Sequence, residues 1–419
     1  MSTSDPVVAD QTDQDELLPR ADTERRSRVA AALARAGLDA LLCARGLNVL
    51  LLSGYWPVVG TTLAIATADG GVELLVPVDE QDLAAPAGAD RLHAFEPAAL
   101  TDLHGALDGW RQPLAETLGR LSFGAAALGI ETESGFVPTT YASQWTPGAA
   151  LAGLLSELAP KARIESADDL LAELRARPTT RELECIRATC RKAARAFAEA
   201  MPSVRPGASE SDVALAVRQG LCRPDPGATA AARADGHAWC MSGENGGSAY
   251  GSHARSSARC LRRGDLALVH CNSNIGGYWS DISRSFVIGA PTTRQRAMLD
   301  AVFAARGAGL GAIRAGVRAA DVDGAVRATL ERYGFGAEFR HPTGHGVGFA
   351  AIDHGARPRL HPASPDVLEP GMVCNVEPGI YFPGYGGIRH CDMVAVTATG
   401  CELLTPFLDE PGAAILATH

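Results

Sequence analysis

Five short glycine-flanked stretches, all in the second half of the chain and each carrying a metal-ligand side chain, constrain the fold more than any global property. They are Gly264 to His270, Gly277 to Arg284 with Asp281 inside it, Gly344-His345-Gly346-Val347-Gly348, Asn375-Val376-Glu377-Pro378-Gly379, and Gly387-Ile388-Arg389-His390-Cys391-Asp392. The first two read as strands separated by the Gly-rich turn Asn274 to Gly277, so pairing them as a hairpin aims His270 and Asp281 at one point. In the third, the glycines let the backbone run close to a site while His345 projects into it, with His341 and His354 nearby. The last two place an acid or a thiol beside a turn. Each side chain alone has a bland reading: His270 as a satisfied core histidine, Asp281 as a turn cap, Cys391 as a small buried hydrophobe. Their order along one chain gives them weight.

With 419 residues the chain exceeds a single compact core and suits two domains. Residues 1–20 are polar and acidic without periodicity, which predicts a disordered tail. Residues 21–165 read as an α/β domain. Thr23 opens a helix through Val29 and Leu33 that Gly37 closes, and the strand Leu38 to Cys43 follows. Further strands are expected at Val49 to Leu52, Thr62 to Thr67 and Val72 to Val76, and helices at Leu114 to Leu121 and Ala150 to Leu158. Residues 166–180 read as a linker, because Pro178 and the capping box from Thr179 to Glu182 then open a long amphipathic helix. Residues 181–419 form the second domain, of α+β type. Antiparallel strands run from Asp265 onward, and helices are expected at Thr293 to Ala308 and Ala319 to Tyr333.

Composition removes several classes of function. A net charge of −10 with scattered Lys and Arg leaves no basic stripe for nucleic acid. Apolar runs such as Leu47 to Leu52 are far shorter than the ~20 residues that span a bilayer, which argues against a membrane partner. The start of the chain lacks the basic and apolar segments of a secretion signal, so a cytoplasmic location is expected. The 10 cysteines show no dense spacing and read as reduced thiols.

The ordered motifs resemble the pita-bread superfamily of methionine aminopeptidase, prolidase, aminopeptidase P and creatinase. Gly37 to Leu42, Asn48 and Ser53-Gly54-Tyr55 are similar to the creatinase-type N-terminal domain, which points to the prolidase, aminopeptidase P and creatinase branch. The resemblance implies a creatinase-type N-terminal α/β domain joined to a pita-bread catalytic domain, in a homodimer. It places the five metal-ligand positions, Asp, Asp, His, Glu and Glu in the metallopeptidases, on His270, Asp281, His345, Glu377 and Cys391. Four carboxylates balance two divalent cations, whereas Asp281, Glu377 and one thiolate supply a charge of about −3, enough for one. The mixed donors suit a single Zn²⁺, with Mn, Fe or Co as other candidates.

Such an ion brings the pKa of its water to roughly 7, and Glu377 or Asp281 receives the proton. His253 and His354 fall near the family's catalytic histidines and are assigned to substrate orientation and oxyanion stabilisation, with Tyr250 as an alternative to His253. His341 is assigned to substrate binding, Arg389 to fixing either a substrate carboxylate or a ligand carboxylate, and Tyr278, with Trp279, to a pocket wall. The expected activity is metal-activated hydrolysis of a small amide such as an Xaa-Pro dipeptide. One alternative is a metal-independent hydrolase like creatinase or the ectoine hydrolases, with no cofactor and with His253 or His270 as base. The other is a catalytically silent binding protein.

Overall fold

A computed structural model describes residues 20–97, 105–132, 148–224, 233–250, 255–353 and 355–417. The expected tail therefore lies outside the described residues, apart from Arg20. The chain divides into two compact units, with the main break between Arg175 and Ala176.

The first unit is built on a six-stranded mixed sheet of order β4-β3-β2-β1-β5-β6: β1 Ala40–Cys43, β2 Leu63–Thr67, β3 Val72–Pro77, β4 Arg91–Phe95, β5 Ala127–Ile130 and β6 Arg163–Ser166. Helix α1 (Thr23–Ala36) starts at Asp22, whose carboxylate accepts from Arg25 N at 3.0 Å. The cap is thus one residue earlier than Thr23. Val49 to Leu52 is helical, not extended, within α2 (Gly46–Ser53). Every residue from Leu47 to Ser53 is buried, so the run shows no alternation, and periodicity alone cannot separate a buried helix from a strand. Helices α3 (Ala106–Arg120) and α4 (Gly148–Leu158) pack Trp110, Leu114, Leu151 and Leu155 against Leu42, Ile65 and Leu128 of the sheet.

The stretch expected as a linker is structured. It completes β6 and forms α5 (Asp168–Ala176), with Leu171 and Leu174 buried. Arg25 donates to Leu174 O at 2.9 Å, which ties α5 back to α1. The acidic start of α5 hid its apolar face from a reading that looked for a connection.

In the second unit, α6 (Thr180–Ala200) opens with the expected capping box, Thr179 and Glu182 exchanging side-chain and backbone hydrogen bonds. It is followed by α7 (Glu210–Cys222) and by a sheet of order β16-β10-β8-β7: β7 Ala234–Ser242, β8 Leu266–Ile275, β10 Ile282–Ile288 and β16 Ile415–Leu416, with β9 (Tyr278–Trp279) also pairing β8. Helices α8 (Thr293–Ala312) and α9 (Ala319–Arg332) bury Met298, Val302, Val326 and Leu330 against Leu266 and Val287. Each such side chain contributes about 1.5–3 kcal/mol on burial. The remaining strands are β11 Val373–Val376, β12 Gly379–Phe382, β13 Gly386–Arg389, β14 Asp392–Val396 and β15 Cys401–Leu403. They form the ladders β11-β14-β15 and β12-β13. His390 and Cys391 make the passage between the two ladders, and Cys391 pairs with Ser283 beside β10.

Candidate metal and catalytic centre

His270 lies mid-strand in β8, opposite Ser283 on one side and Trp239 on the other. Asp281 precedes β10, so the hairpin brings His270 Nε2 to 2.8 Å from Asp281 Oδ1. Neither of these two buried atoms makes a well-aligned hydrogen bond, so both lie beside the same point rather than along one bond. Arg389 at the end of β13 approaches from the other side, its Nη2 2.6 Å from His270 Nδ1. A guanidinium has only donors, so Nδ1 accepts, and in the neutral ring the proton sits on Nε2 facing Asp281. Burial, reinforced by the charge of Arg389, lowers the pKa of His270 and keeps the ring neutral.

His345 is held by its two glycines. A Cβ at Gly344 would fall 2.0 Å from Asn375 O, and one at Gly346 2.1 Å from Arg357 O, so only glycine lets the backbone pass. His345 Nδ1 donates to Gly346 O at 3.0 Å, which leaves the Nε2 lone pair turned toward Asp281 Oδ2 at 3.6 Å. Asn375 fixes both groups. Its Oδ1 accepts from His345 N at 2.7 Å, while its Nδ2 lies 3.1 Å from Asp281 Oδ2 and 3.3 Å from His345 Nε2.

Glu377 follows β11, anchored by its N–H to Thr343 O at 2.8 Å. Its Oε2 lies 3.8 Å from Arg389 Nε. Burial, with the nearby charge of Asp281, pushes its carboxyl up to about 7, although Arg389 and His345 pull the other way. Asp281 is also desolvated, but the imidazoles and Arg389 around it outweigh that and hold it below the usual carboxylate range. Cys391 Sγ lies 3.2 Å from Asp281 O, a contact that requires the S–H. Burial pushes this thiol far above its ordinary pKa, with Asp281 and Glu377 adding to the shift.

Thus six of the expected residues meet: His270, Asp281, His345, Glu377, Arg389 and Cys391. His341 joins from the side. Its Nδ1 donates to Pro342 O at 2.8 Å and its Nε2 accepts from Tyr381 at 2.8 Å. Tyr381 is itself within hydrogen-bond reach of Arg389. Tyr278 and Trp279 point to different surroundings: Tyr278 is buried with its ring 5.7 Å from Phe349, whereas half-buried Trp279 stacks on His237 at 6.4 Å. Tyr250 rests its ring 5.3 Å from Tyr381. His253 and His354 lie outside the described residues. Three residues that sequence reasoning did not assign, Asn375, Ser283 and Tyr381, hold the others in place.

Two layers of fold, a creatinase-like α/β unit and a strand-rich unit with a buried carboxylate and imidazole cluster, define a class of two-domain hydrolases. The pattern of Metallopeptidase family M24 matches residues 184–398, just over half the chain, and that of the Creatinase/Prolidase N-terminal domain matches residues 25–177. The chain belongs to metallopeptidase family M24. It is 26% identical over 390 residues to the Xaa-Pro dipeptidase of Pyrococcus horikoshii, covering 91% of this chain and 97% of the relative. The solved Xaa-Pro dipeptidase from Bacillus anthracis superposes with a TM-score of 0.75 at 25% identity, over 94% of this chain and 99% of that one. The agropine synthesis cyclase of Rhizobium rhizogenes is 35% identical over 158 residues, 37% of this chain and 39% of its own. The protein is a hydrolase of the prolidase and aminopeptidase P kind, with the matching pita-bread architecture.

Family membership implies use of a divalent metal ion, and the donors present fit one in part. Asp281, His345 and Glu377 offer carboxylate oxygens and an imidazole nitrogen, the latter 3.3 Å from Asn375 Nδ2. His270 and Cys391 do not fit: the contact with Arg389 puts the His270 proton on the nitrogen that would bind, and the contact with Asp281 O keeps the thiol protonated. As they stand, no three His, Cys, Asp or Glu side chains among the described residues converge closely enough to hold an ion by themselves.

Proposed function

We propose that the chain hydrolyses the C–N bond of a small Xaa-Pro dipeptide or a closely related amide, with Asp281, His345 and Glu377 as the side chains that a divalent ion would have to draw together. The observation that carries this reading is the buried cluster in which Asn375 holds Asp281 and His345 while Arg389 lies beside His270 and Glu377, an environment that holds Asp281 below the usual carboxylate range and pushes Glu377 up to about 7. Two carboxyls pushed apart in this way divide the labour, one remaining an anion while the other exchanges a proton near neutral pH. A divalent ion, once drawn in by these groups, would supply an activated water and polarise the scissile carbonyl.

The chain's own groups do the rest. Glu377 takes a proton from the attacking water and can return it to the leaving nitrogen. Arg389, fixed by His270 and by Ser283 Oγ at 2.9 Å, holds positive charge beside Glu377 and keeps that carboxyl aimed into the site. Asn375 prevents Asp281 and His345 from turning away. The dipeptidase relatives support the substrate class, and ten free thiols support a cytoplasmic location. Among the described residues no helix is long and apolar enough to cross a membrane. Zinc as the metal and a homodimer complete the proposal. The test is turnover of Xaa-Pro against non-proline dipeptides by purified protein supplied with Zn²⁺, Mn²⁺ or Co²⁺. No cleavage of any Xaa-Pro dipeptide would sink it.

The protons on His270 and Cys391 favour a second reading, a metal-independent hydrolase acting on a small non-peptide C–N bond. In that case Glu377 is the base, because both nitrogens of His270 face partners already. Full turnover after exhaustive metal removal would select this reading over the first.

A further inference from the structure

We infer that Trp239, His237 and Trp279 form an aromatic shelf that receives the side chain of the substrate's first residue, so that the protein selects Xaa-Pro dipeptides in which Xaa is flat and aromatic. This rests on the peptidase reading above and adds the specificity that the cluster around Asp281 does not set. Strand β7 runs beside β8 in a register that sets Trp239 opposite His270, His237 opposite Asn272 and Asp235 opposite Asn274, while Trp279 of β9 also pairs with Asn274. Alternate residues of a strand share a face, so Trp239 and His237 project from the same face as His270. The opposite face is closed by α7, where a Cβ on Gly236 would fall 2.6 Å from Leu221.

The shelf begins at the site itself. Trp239 meets His270 edge-on, with ring centroids 5.2 Å apart and planes at 70°. His237 lies nearly parallel to both indoles, at 21° and 6.2 Å from Trp239 and at 9° and 6.4 Å from Trp279. Such near-parallel rings present a flat surface, and all three are half-buried, so part of each meets solvent. Burial, with Arg218 nearby, holds His237 below the ordinary imidazole range although Asp235 pulls the other way, so the middle ring is uncharged at neutral pH. Asp235 at the outer end already accepts from Gly236 N at 2.7 Å and from the Cys222 thiol at 3.2 Å. The cations of the site stand elsewhere. Strand β10 flanks β8 on the edge away from β7, and there Arg389 bonds Ser283 Oγ and His270 Nδ1, while Arg340 donates to the Tyr250 hydroxyl at 3.2 Å. A dipeptide whose carboxylate turns to these cations lays its first side chain toward the rings.

The test uses uncleavable analogues of phenylalanyl-proline and cyclohexylalanyl-proline, in which a methylene replaces the scissile carbonyl, titrated by calorimetry into the full-length protein. The two side chains bury similar area, but only one is flat and aromatic. Wild-type protein should bind the phenylalanyl analogue at least about threefold more tightly, within what one ring pair contributes, and the double variant Trp239→Leu/Trp279→Leu should lose that preference. A smaller ratio in the wild type, an unchanged ratio in the double variant, or no binding of either analogue overturns the inference. Tighter binding of the arginyl-proline analogue than of the phenylalanyl one also overturns it, since the rings would then serve a cation. If the double variant fails to fold, the wild-type ratio decides. The ring preference with no cleavage of any Xaa-Pro dipeptide sinks the peptidase reading and leaves the shelf standing. Cleavage of Xaa-Pro dipeptides without the preference does the reverse.

Discussion

Arg389 Nη2 sits 2.6 Å from His270 Nδ1, and that one contact fixes which nitrogen of the imidazole carries the proton. The tautomer is directly observable. Nitrogen NMR of histidine-labelled protein should show an acceptor-type Nδ1 and a protonated Nε2 for His270 from pH 6 to 8. An Nδ1–H signal would break the link between Arg389 and Asp281.

Glu377 makes the metal-free protein sensitive to pH. Its folded pKa of about 7 lies above the ordinary carboxylate value, so the folded state retains a proton that the unfolded chain has lost. The stability it contributes is fully present below pH ~4.5 and disappears as pH rises through 7. Denaturation midpoints of chelator-treated protein should fall over that window, and Glu377→Gln should flatten the fall. In the same range, ion affinity should drop as pH decreases below 7, because the metal has to displace the proton.

Gly344→Ala should damage the site more than the fold. The new methyl would meet Asn375 O at 2.0 Å, and Asn375 is the group that holds both His345 and Asp281. A loss of about 1–3 kcal/mol is expected from overpacking. The fall in kcat should exceed the ~10²-fold that accompanies a ~1 Å displacement of reacting groups. A variant with wild-type kcat would show that the approach of the two segments does not position His345.

Asp392→Asn tests the support behind the centre. Asp392 is fully buried and paired with Arg284 at 2.8 Å and Arg306 at 2.5 Å, while Thr405 Oγ1 donates to it at 2.8 Å. Its carboxyl is strongly desolvated, yet these cations hold it far below the ordinary carboxylate range. Removing the charge leaves Arg284 buried without its counterion, which costs about 3–5 kcal/mol. Urea denaturation should register that loss, and a shift below ~1 kcal/mol would contradict the role assigned to the pair.

Much of the architecture was legible because chemistry and local conformation agreed. The capping box at Thr179 and Glu182 announced α6, and the Gly-rich turn before Tyr278 announced the hairpin that joins His270 to Asp281. Val49 to Leu52 misled because complete burial erases periodicity, and α5 was missed because its polar start resembles a connection. In the site, sequence order found the chemically obvious side chains but not their holders. Two of those holders follow a simple rule: Asn375 stands two residues before Glu377 and Ser283 two after Asp281, just as Arg389, already assigned, stands two before Cys391. In extended chain such neighbours share a face. Applying that period to each candidate would have found Asn375 and Ser283. It could not have revealed that Arg389 turns to His270, since that depends on a contact across 119 positions of sequence.

The passage from β13 to β14 has two faces with separate duties. Arg389 and Cys391 meet the reacting groups, whereas His390 and Asp392 look back into a buried network with Arg284, Arg306 and Phe303. Because the rear anchor supplies its own cohesion, front-side chemistry can be exchanged without loosening the strand. A lineage can thus trade a carboxylate for a thiol here and still inherit an intact fold on which new reactivity can be tried.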